Sequence, residues 1–447
     1  MIIVSEDFSM DRYQNDVGVL VPKVMLPDKD ADFYKWAVVA CDQFTSQPEY
    51  WEKARKIIGT APSTLDLFLP EAFLGKPDES DRIEKIRANM REYVSKGIIK
   101  ELEQGFVLVT RSVAGNTRYG LVLALDLEAY DYHKGSETLI RATEGTIESR
   151  IPPRLRIREG APLELPHILV LIDDPKRTVI EPLVDEEESF PVLYDTDLML
   201  DGGHITGRMV SRPKDVKQVL DALSALKDPD AFREKYGDHA PLLFAMGDGN
   251  HSFATAKANW EKIKASLPEE EKANHPARYA LVEIENVHDN GIVFEPIHRV
   301  VFGIGGADAV AAIEKHLREQ NGSVEVFDDT FEPVGGRKHV IPFFTKERKG
   351  SFMVSGCTQQ LAVGTLQNAI DATLKEFAGS EVDYIHGAAV VQELSKRDNT
   401  IGFLLPAMEK SELFPTVVFD GALPRKTFSM GEANEKRYYL ECRSIEK

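Results

Sequence analysis

The sequence predicts an α/β or α+β protein with mixed sheets and flanking helices, arranged as two closely packed halves. Three observations predict it. Short apolar runs of strand length recur along the whole chain, and helical periodicity fills many of the intervals between them. No apolar stretch approaches the roughly 18 residues of a membrane-spanning helix.

Taken in order, the first third mixes both element types. DRIEKIRANMREYVSKGIIKELE places Ile83, Ile86, Met90, Tyr93 and Val94 on one helical face. A hairpin follows, GFVLVTRS and TRYGLVLALDL around a turn at Ala114, Gly115 and Asn116. IRATEGTIESRIPPRLRIREGAPLELP is too polar for a buried strand, and HILVLIDDP returns to an apolar strand ending in two acids. Past LDGGHITGR the elements alternate. PKDVKQVLDALSAL is helical, with Pro213 suited to the first turn. LLFAM is a strand, SFATAKANWEKIKASL a helix, RYALVEIENV and HRVVFGI strands, and ADAVAAIEKHLREQ a helix. In the last part HVIPFFT, SFMVSG, LAVGTL and IGFLLPA read as strands, NAIDATLKEF and GAAVVQELSK as helices. No Pro/Gly/Ser linker is present. The expected division is an N-terminal α+β part at 1–135, a central part at 136–300 and a C-terminal α/β part at 301–447.

Composition narrows the function. The 447 residues are 43% hydrophobic and 28% charged, ordinary for a globular chain. Acidic residues outnumber basic ones 73 to 54, a net charge of -19, which repels phosphate backbones and argues against DNA binding. No helix-turn-helix with a basic recognition helix is visible. Cys41, Cys357 and Cys442 are widely spaced, which suits a reducing cytosol, and Cys41 reads as a small buried residue. The acidic N-terminal segment lacks the pattern of a secretory signal, so a cytoplasmic location without membrane partners is expected. The 11 histidines show no zinc-ligand spacing, so zinc is not expected, nor is haem. FGIGGADAV fails the dinucleotide fingerprint at Asp308 and reads as a turn before a helix.

The segment LLFAMGDGNHSFATAKANW carries the most chemistry. A strand, a glycine-bearing loop and a helix form a common anion site, because free N–H groups and the helix dipole face the loop. Gly247 and Gly249 would let backbone approach a phosphate, Asn250 and His251 would add donors, and Asp248 would hold a hydroxyl or a metal-bound water. The bland alternative is that Asp248 or Asn250 caps the helix while the glycines shape the turn. LDGGHITGR is a second glycine-rich segment; its His204 and Arg208 would touch substrate if it were a mobile loop, and a plain turn is the alternative.

The sequence resembles the domain of unknown function 1015 family. Members carry a motif D-G-H-H-R-Y-x-T-A, matched here by Asp248, Gly249, Asn250, His251, Ser252, Phe253, Thr255 and Ala256. Three further segments agree in order, through Arg141, Glu144, Thr146 and Arg150; through Pro296, His298 and Arg299; and through Pro424, Lys426 and Thr427. The central motif is in turn similar to a signature of the ParB-like/sulfiredoxin superfamily, which includes segregation proteins, sulfiredoxin and kinases of free serine. That resemblance implies a ParB-like, nucleotide-binding element in the middle of the chain. The chain departs from the motif where Ser252 replaces its arginine, Asn250 its first histidine and Thr143 the histidine before Glu144. Serine cannot replace a planar, permanently charged phosphate fork. The resemblance makes Arg141, Arg150, Arg299 and Lys426 candidates for the missing charge, His298 a candidate anion contact, and Glu144 a candidate general base. The competing readings are an exposed ion pair for Glu144 and a structural network for His298 and Arg299.

Two functions stand. One is a phosphotransferase using ATP or ADP with Mg2+ on a small hydroxylated metabolite such as a free amino acid, with Glu144 or Asp248 deprotonating the acceptor. The other is a non-catalytic ligand-binding or regulatory protein. A small-molecule ligand is expected in both, and a homo-oligomer is compatible with either.

Overall fold

A computed structural model describes residues 16–40, 42–45 and 47–446; Cys41 lies outside them. The protein is mixed α/β, with parallel and antiparallel strands flanked by helices. It divides into two compact units, residues 1–292 with 432–447, and residues 293–431. No helix among the described residues is long and apolar enough to cross a membrane.

The first unit is built on one sheet of β1 (Val19–Leu20), β2 (Phe106–Val113), β3 (Asn116–Asp126), β4 (Tyr130–Asp131), β5 (Ile140–Arg141), β6 (Leu169–Ile172), β7 (Val192–Asp197), β8 (His204–Val210), β9 (Phe244–Asp248) and β10 (Tyr279–Asn286). The order is β7-β8-β2-β3-β10-β6-β9-β5-β4, with β1 also on β3. β10 and β6 are parallel, as are β9 and β5, whereas β6 and β9 are antiparallel.

Period-2 alternation gives this sheet two buried faces. Leu108 on β2, Leu121 and Leu123 on β3 and Val282 on β10 pack with helices α4 (Pro213–Leu226) and α5 (Asn250–Lys264) through Val219, Leu223, Phe253 and Trp260. Their neighbours Val107, Val109, Val122 and Leu281 face the opposite way, toward α1 (Pro48–Ile58) and α2 (Glu79–Ser95). Helix α3 (Ile151–Arg158) packs on α5. The chain returns at its end, where Tyr438–Tyr439 pairs with Val38–Val39 and Arg443–Ser444 with Leu163–Glu164.

The second unit carries an antiparallel sheet of β11 (Phe294–Phe302), β12 (Ser323–Phe327), β13 (Lys338–Phe344), β14 (Lys349–Ser355), β15 (Glu381–His386), β16 (Thr400–Phe403) and β17 (Phe428–Met430). Its order is β12-β14-β13-β16-β11-β15, with β17 also on β11. Helices α6 (Gly306–Gln320) and α7 (Ala362–Glu376) pack against each other.

Three local expectations are corrected. LAVGTL is no strand: Ala362 opens α7, and Leu366, Ala369, Ile370 and Thr373 continue its buried face at helical spacing. The helix expected through Glu103 stops at Ser95; Gly97 takes a φ of +66°, Ile99–Glu101 pairs with Met25–Pro27, and Val94 is exposed. LDGGHITGR is no mobile loop. Its turn is confined to Leu200–Gly203, and His204–Val210 is paired with β2 along its length and with β7 from His204 to Arg208.

Candidate functional site

Strand β9 ends at Asp248, and Gly249 turns the chain into α5 with a φ of +83°. That left-handed conformation suits glycine. Space also demands it, since a Cβ there would lie 3.1 Å from Ile168 Cα and Cγ1. The N-cap, Gly249, has no side chain with which to cap the helix. Asp248 Oδ1 instead accepts from the Gly249 N–H at 2.8 Å, and Asn250 faces elsewhere. The capping alternative is therefore not what the loop does. The first turn of a 15-residue helix begins there, with the N–H groups and the positive end of its dipole at the loop.

The segment after β5 crosses this helix start as a strap. The Thr143 N–H donates to Asn250 Oδ1 at 3.2 Å, and the Ile147 N–H donates to His251 Nε2 at 3.2 Å. Thr143 Oγ1 donates to the Met246 carbonyl at 2.6 Å, fastening the strap to β9. Glu144 rides on it, half-buried, between the two anchors.

On the other side the returning C-terminal segment supplies a cation. Lys436 Nζ lies 3.2 Å from Asp248 Oδ2, with the two side chains only 14% and 26% exposed. Burial alone would raise the Asp248 carboxyl pKa; the charge and hydrogen bond of Lys436 lead the interactions that outweigh it and hold the group below its ordinary value. His167, just before β6, links two further residues: Nε2 is 3.3 Å from Ser252 Oγ, and Nδ1 is 3.0 Å from the Tyr439 hydroxyl.

Sequence expectations thus divide by place. Asp248, Gly249, Asn250, His251 and Ser252 stand together at the start of α5, Glu144 lies on the strap bonded to it, and Gly247 lies within β9. Arg141 is buried, donating from Nε to the Thr138 carbonyl at 2.8 Å and from Nη2 to the Ala240 carbonyl at 2.7 Å. Arg150 is exposed at the turn before α3. His204 and Arg208 sit on β8, with four strands between them and β9. His204 is held between Asp197 at 2.8 Å and Asp195 at 2.6 Å; the Asp197 hydrogen bond is the main cause that raises its pKa. Arg208 meets Glu188 at 3.2 Å.

His298, Arg299 and Lys426 belong to the second unit. His298 Nδ1 accepts from the Leu405 N–H at 3.1 Å, and burial, helped by the charge of Arg299, pushes its pKa down to about 4. Arg299 donates to Gln367 Oε1 and to the Arg425 carbonyl, each at 2.9 Å, and stacks over Tyr384. That is the structural network considered as the alternative. Lys426 is exposed.

Lys436, His167 and Tyr439 had no sequence signal. Each joins the site through a long-range contact, and EKRYYLE shows no motif.

The comparison with curated proteins gives no match. Among solved structures, the chain is similar to a free serine kinase variant in complex with AMP, at 11% identity and a TM-score of 0.37 over 73% of this chain and 91% of that one. It is similar to a conserved hypothetical protein from Pyrococcus furiosus, at 13% identity and a TM-score of 0.33 over 71% and 90%. A third is SbnI with a C-terminal truncation from Staphylococcus aureus, at 10% identity and a TM-score of 0.33 over 69% and 81%. Superpositions this loose carry no argument about the chain. The family match is of another order: residues 23–382 match the family described as protein of unknown function (DUF1015), and the chain belongs to that family.

Proposed function

We propose that the loop from Asp248 to Ser252 binds the phosphates of a nucleotide, and that the protein is a phosphotransferase acting on a small hydroxylated metabolite. One observation carries this reading: the start of α5, at a left-handed glycine, lies beside the half-buried ammonium of Lys436. N–H groups aimed outward, a helix dipole and an ammonium together form an anion cradle. The likeness of the motif to the ParB-like signature supports the same assignment.

Lys436, paired with Asp248, takes the part that the motif gives to arginine, offsetting phosphate charge. His251 fixes the strap through Ile147, and Glu144 lies on that strap. Glu144 is then the base for the acceptor hydroxyl, because Asp248 is held ionised against Lys436 and serves to position that ammonium. Arg141 stays a wall residue, its guanidinium already on carbonyls. ATP accompanied by Mg2+ would supply the phosphoryl group, and Asp248 and Glu144 would be the carboxylates to meet the ion's waters. Among the described residues no group of three His, Cys, Asp or Glu could hold a metal by itself. The ion would therefore arrive on the phosphates. Such a protein works on soluble metabolites in the cytoplasm.

The second reading, a ligand-binding protein without turnover, is favoured by Ser252, which leaves the loop one permanent charge short. Calorimetric titration with ATP, ADP and AMP in Mg2+, followed by 31P NMR in the presence of pooled hydroxylated metabolites, separates the two. We expect saturable binding that falls at least about tenfold in Lys436→Ala, a loss of about 1.4 kcal/mol, together with a new phosphate ester signal. Binding without any ester selects the regulatory protein. No binding by any nucleotide overturns both the cradle and the phosphotransfer.

A further inference from the structure

The cleft that opens beside Ser252 has a volume of about 140 Å3. We infer that it binds a neutral alcohol whose apolar body is the size of one six-membered ring, with the hydroxyl at the Ser252–His167–Tyr439 edge. An enclosed apolar space of about 150 Å3 holds one benzene molecule, which sets the size.

The wall sets the chemistry. Leu67, Phe68, Leu69, Leu74 and Leu165 line the cleft, and the Phe68 and Tyr439 rings meet at 4.5 Å between centroids, giving it an aromatic side. Hydrogen-bonding groups gather at one edge, where Ser252 Oγ and the Tyr439 hydroxyl bracket the His167 ring at 3.3 Å and 3.0 Å. A single hydroxyl can join that edge as donor and acceptor at once.

The charges in the wall already have partners. Arg154 is paired with Glu71, and Glu164 lies 2.5 Å from Arg158 and 2.6 Å from Arg443. A zwitterionic amino acid would bring an ammonium and a carboxylate into a cleft whose opposite charges are satisfied, so its own would be desolvated without compensation. A neutral alcohol avoids that cost. Ser252 also acquires a reason: it lines the cleft, and an arginine from the same position, as in the family motif, would extend into the space the ligand needs.

This deepens the phosphotransfer reading by naming its acceptor class, and it rests on that reading only for the fate of the bound hydroxyl. The test is therefore made without nucleotide. Benzyl alcohol, cyclohexanol, L-serine and sodium benzoate are titrated calorimetrically into the full chain and into Ala161→Leu and Ser252→Arg, which narrow the cleft from two walls, each variant checked by circular dichroism. We expect saturable binding of both alcohols, at least tenfold weaker in the folded variants, and none of L-serine or benzoate. Binding of L-serine or benzoate in preference to the alcohols overturns the inference, as does binding of none of the four or alcohol binding that neither variant weakens. If one variant fails to fold the other serves, and the wild-type panel alone decides between neutral and charged ligands. Failure here leaves the nucleotide cradle standing, and failure of the nucleotide titration leaves the cleft standing.

Discussion

Asp248 and Lys436 are an ion pair in which neither partner is free to be hydrated fully, since both side chains are mostly buried. Burial raises the carboxyl pKa, but the interactions led by Lys436 lower it further, so the folded value lies under the unfolded one. The sign follows from linkage. A depressed carboxyl adds stability that is complete above the unfolded value of about 3.9 and is lost as pH falls through the folded value. The stability difference between wild type and Lys436→Ala should therefore be largest at neutral pH and shrink below pH 4, as read from urea midpoints. A difference that stays constant down to pH 2 would show that the lysine acts through packing alone. At this scale the sequence was informative only where chemistry is local. Asp248, Gly249, Asn250 and His251 could be singled out because adjacent residue types imply a loop with donors. Lys436 could not, because a lysine in a charged tail looks like any solvated lysine until the fold brings it to the loop.

Among elements, the strand, loop and helix at 244–264 were legible because the apolar period changes from a continuous run to helical spacing across two glycines. The strap over that helix was not. Residues 142–150 are polar and irregular, and what orders them is contact with Asn250 and His251 rather than any pattern of their own. β8 was missed for a related reason. Its glycines suggested a loop, yet Gly207 is there because a Cβ would lie 2.1 Å from the Tyr194 ring, in a strand whose Ile205 and Met209 alternate inward. If the strap is ordered by its two anchors, Asn250→Ala should lower stability by about 1 kcal/mol, the net value of an ordinary hydrogen bond. In hydrogen-exchange mass spectrometry the peptide spanning 142–148 should exchange faster while the body of α5 stays protected. Uniform loosening of the strap and α5 together would instead make Asn250 a support of the helix.

The whole first unit depends on a chain end that leaves and comes back. Its sheet is assembled before residue 293, the second unit follows, and residues 432–447 return to the first. Nothing in the sequence marks that return, because a segment such as EKRYYLECRS has no period to read and its partners lie far away along the chain. Buried charge holds it. Arg437 is 2.6 Å from Glu283 on β10 and 2.8 Å from Glu441, and Tyr194 donates to Glu441 at 2.5 Å. Such a network adds little net stability over apolar residues, but losing one partner strands the others in the interior. Arg437→Leu leaves both carboxylates without their guanidinium, so a loss of about 3–5 kcal/mol is expected in urea unfolding. The same segment positions Lys436 and Tyr439, so nucleotide and alcohol binding should weaken together in this variant even under conditions where the protein remains folded. A compensated triple change, Arg437→Leu with Glu283→Leu and Glu441→Gln, should recover much of the stability by removing the stranded charge. If it recovers stability and leaves binding weak, the buried network has its main effect on where the segment lies, and the site is assembled by the return of the chain as much as by its central motif.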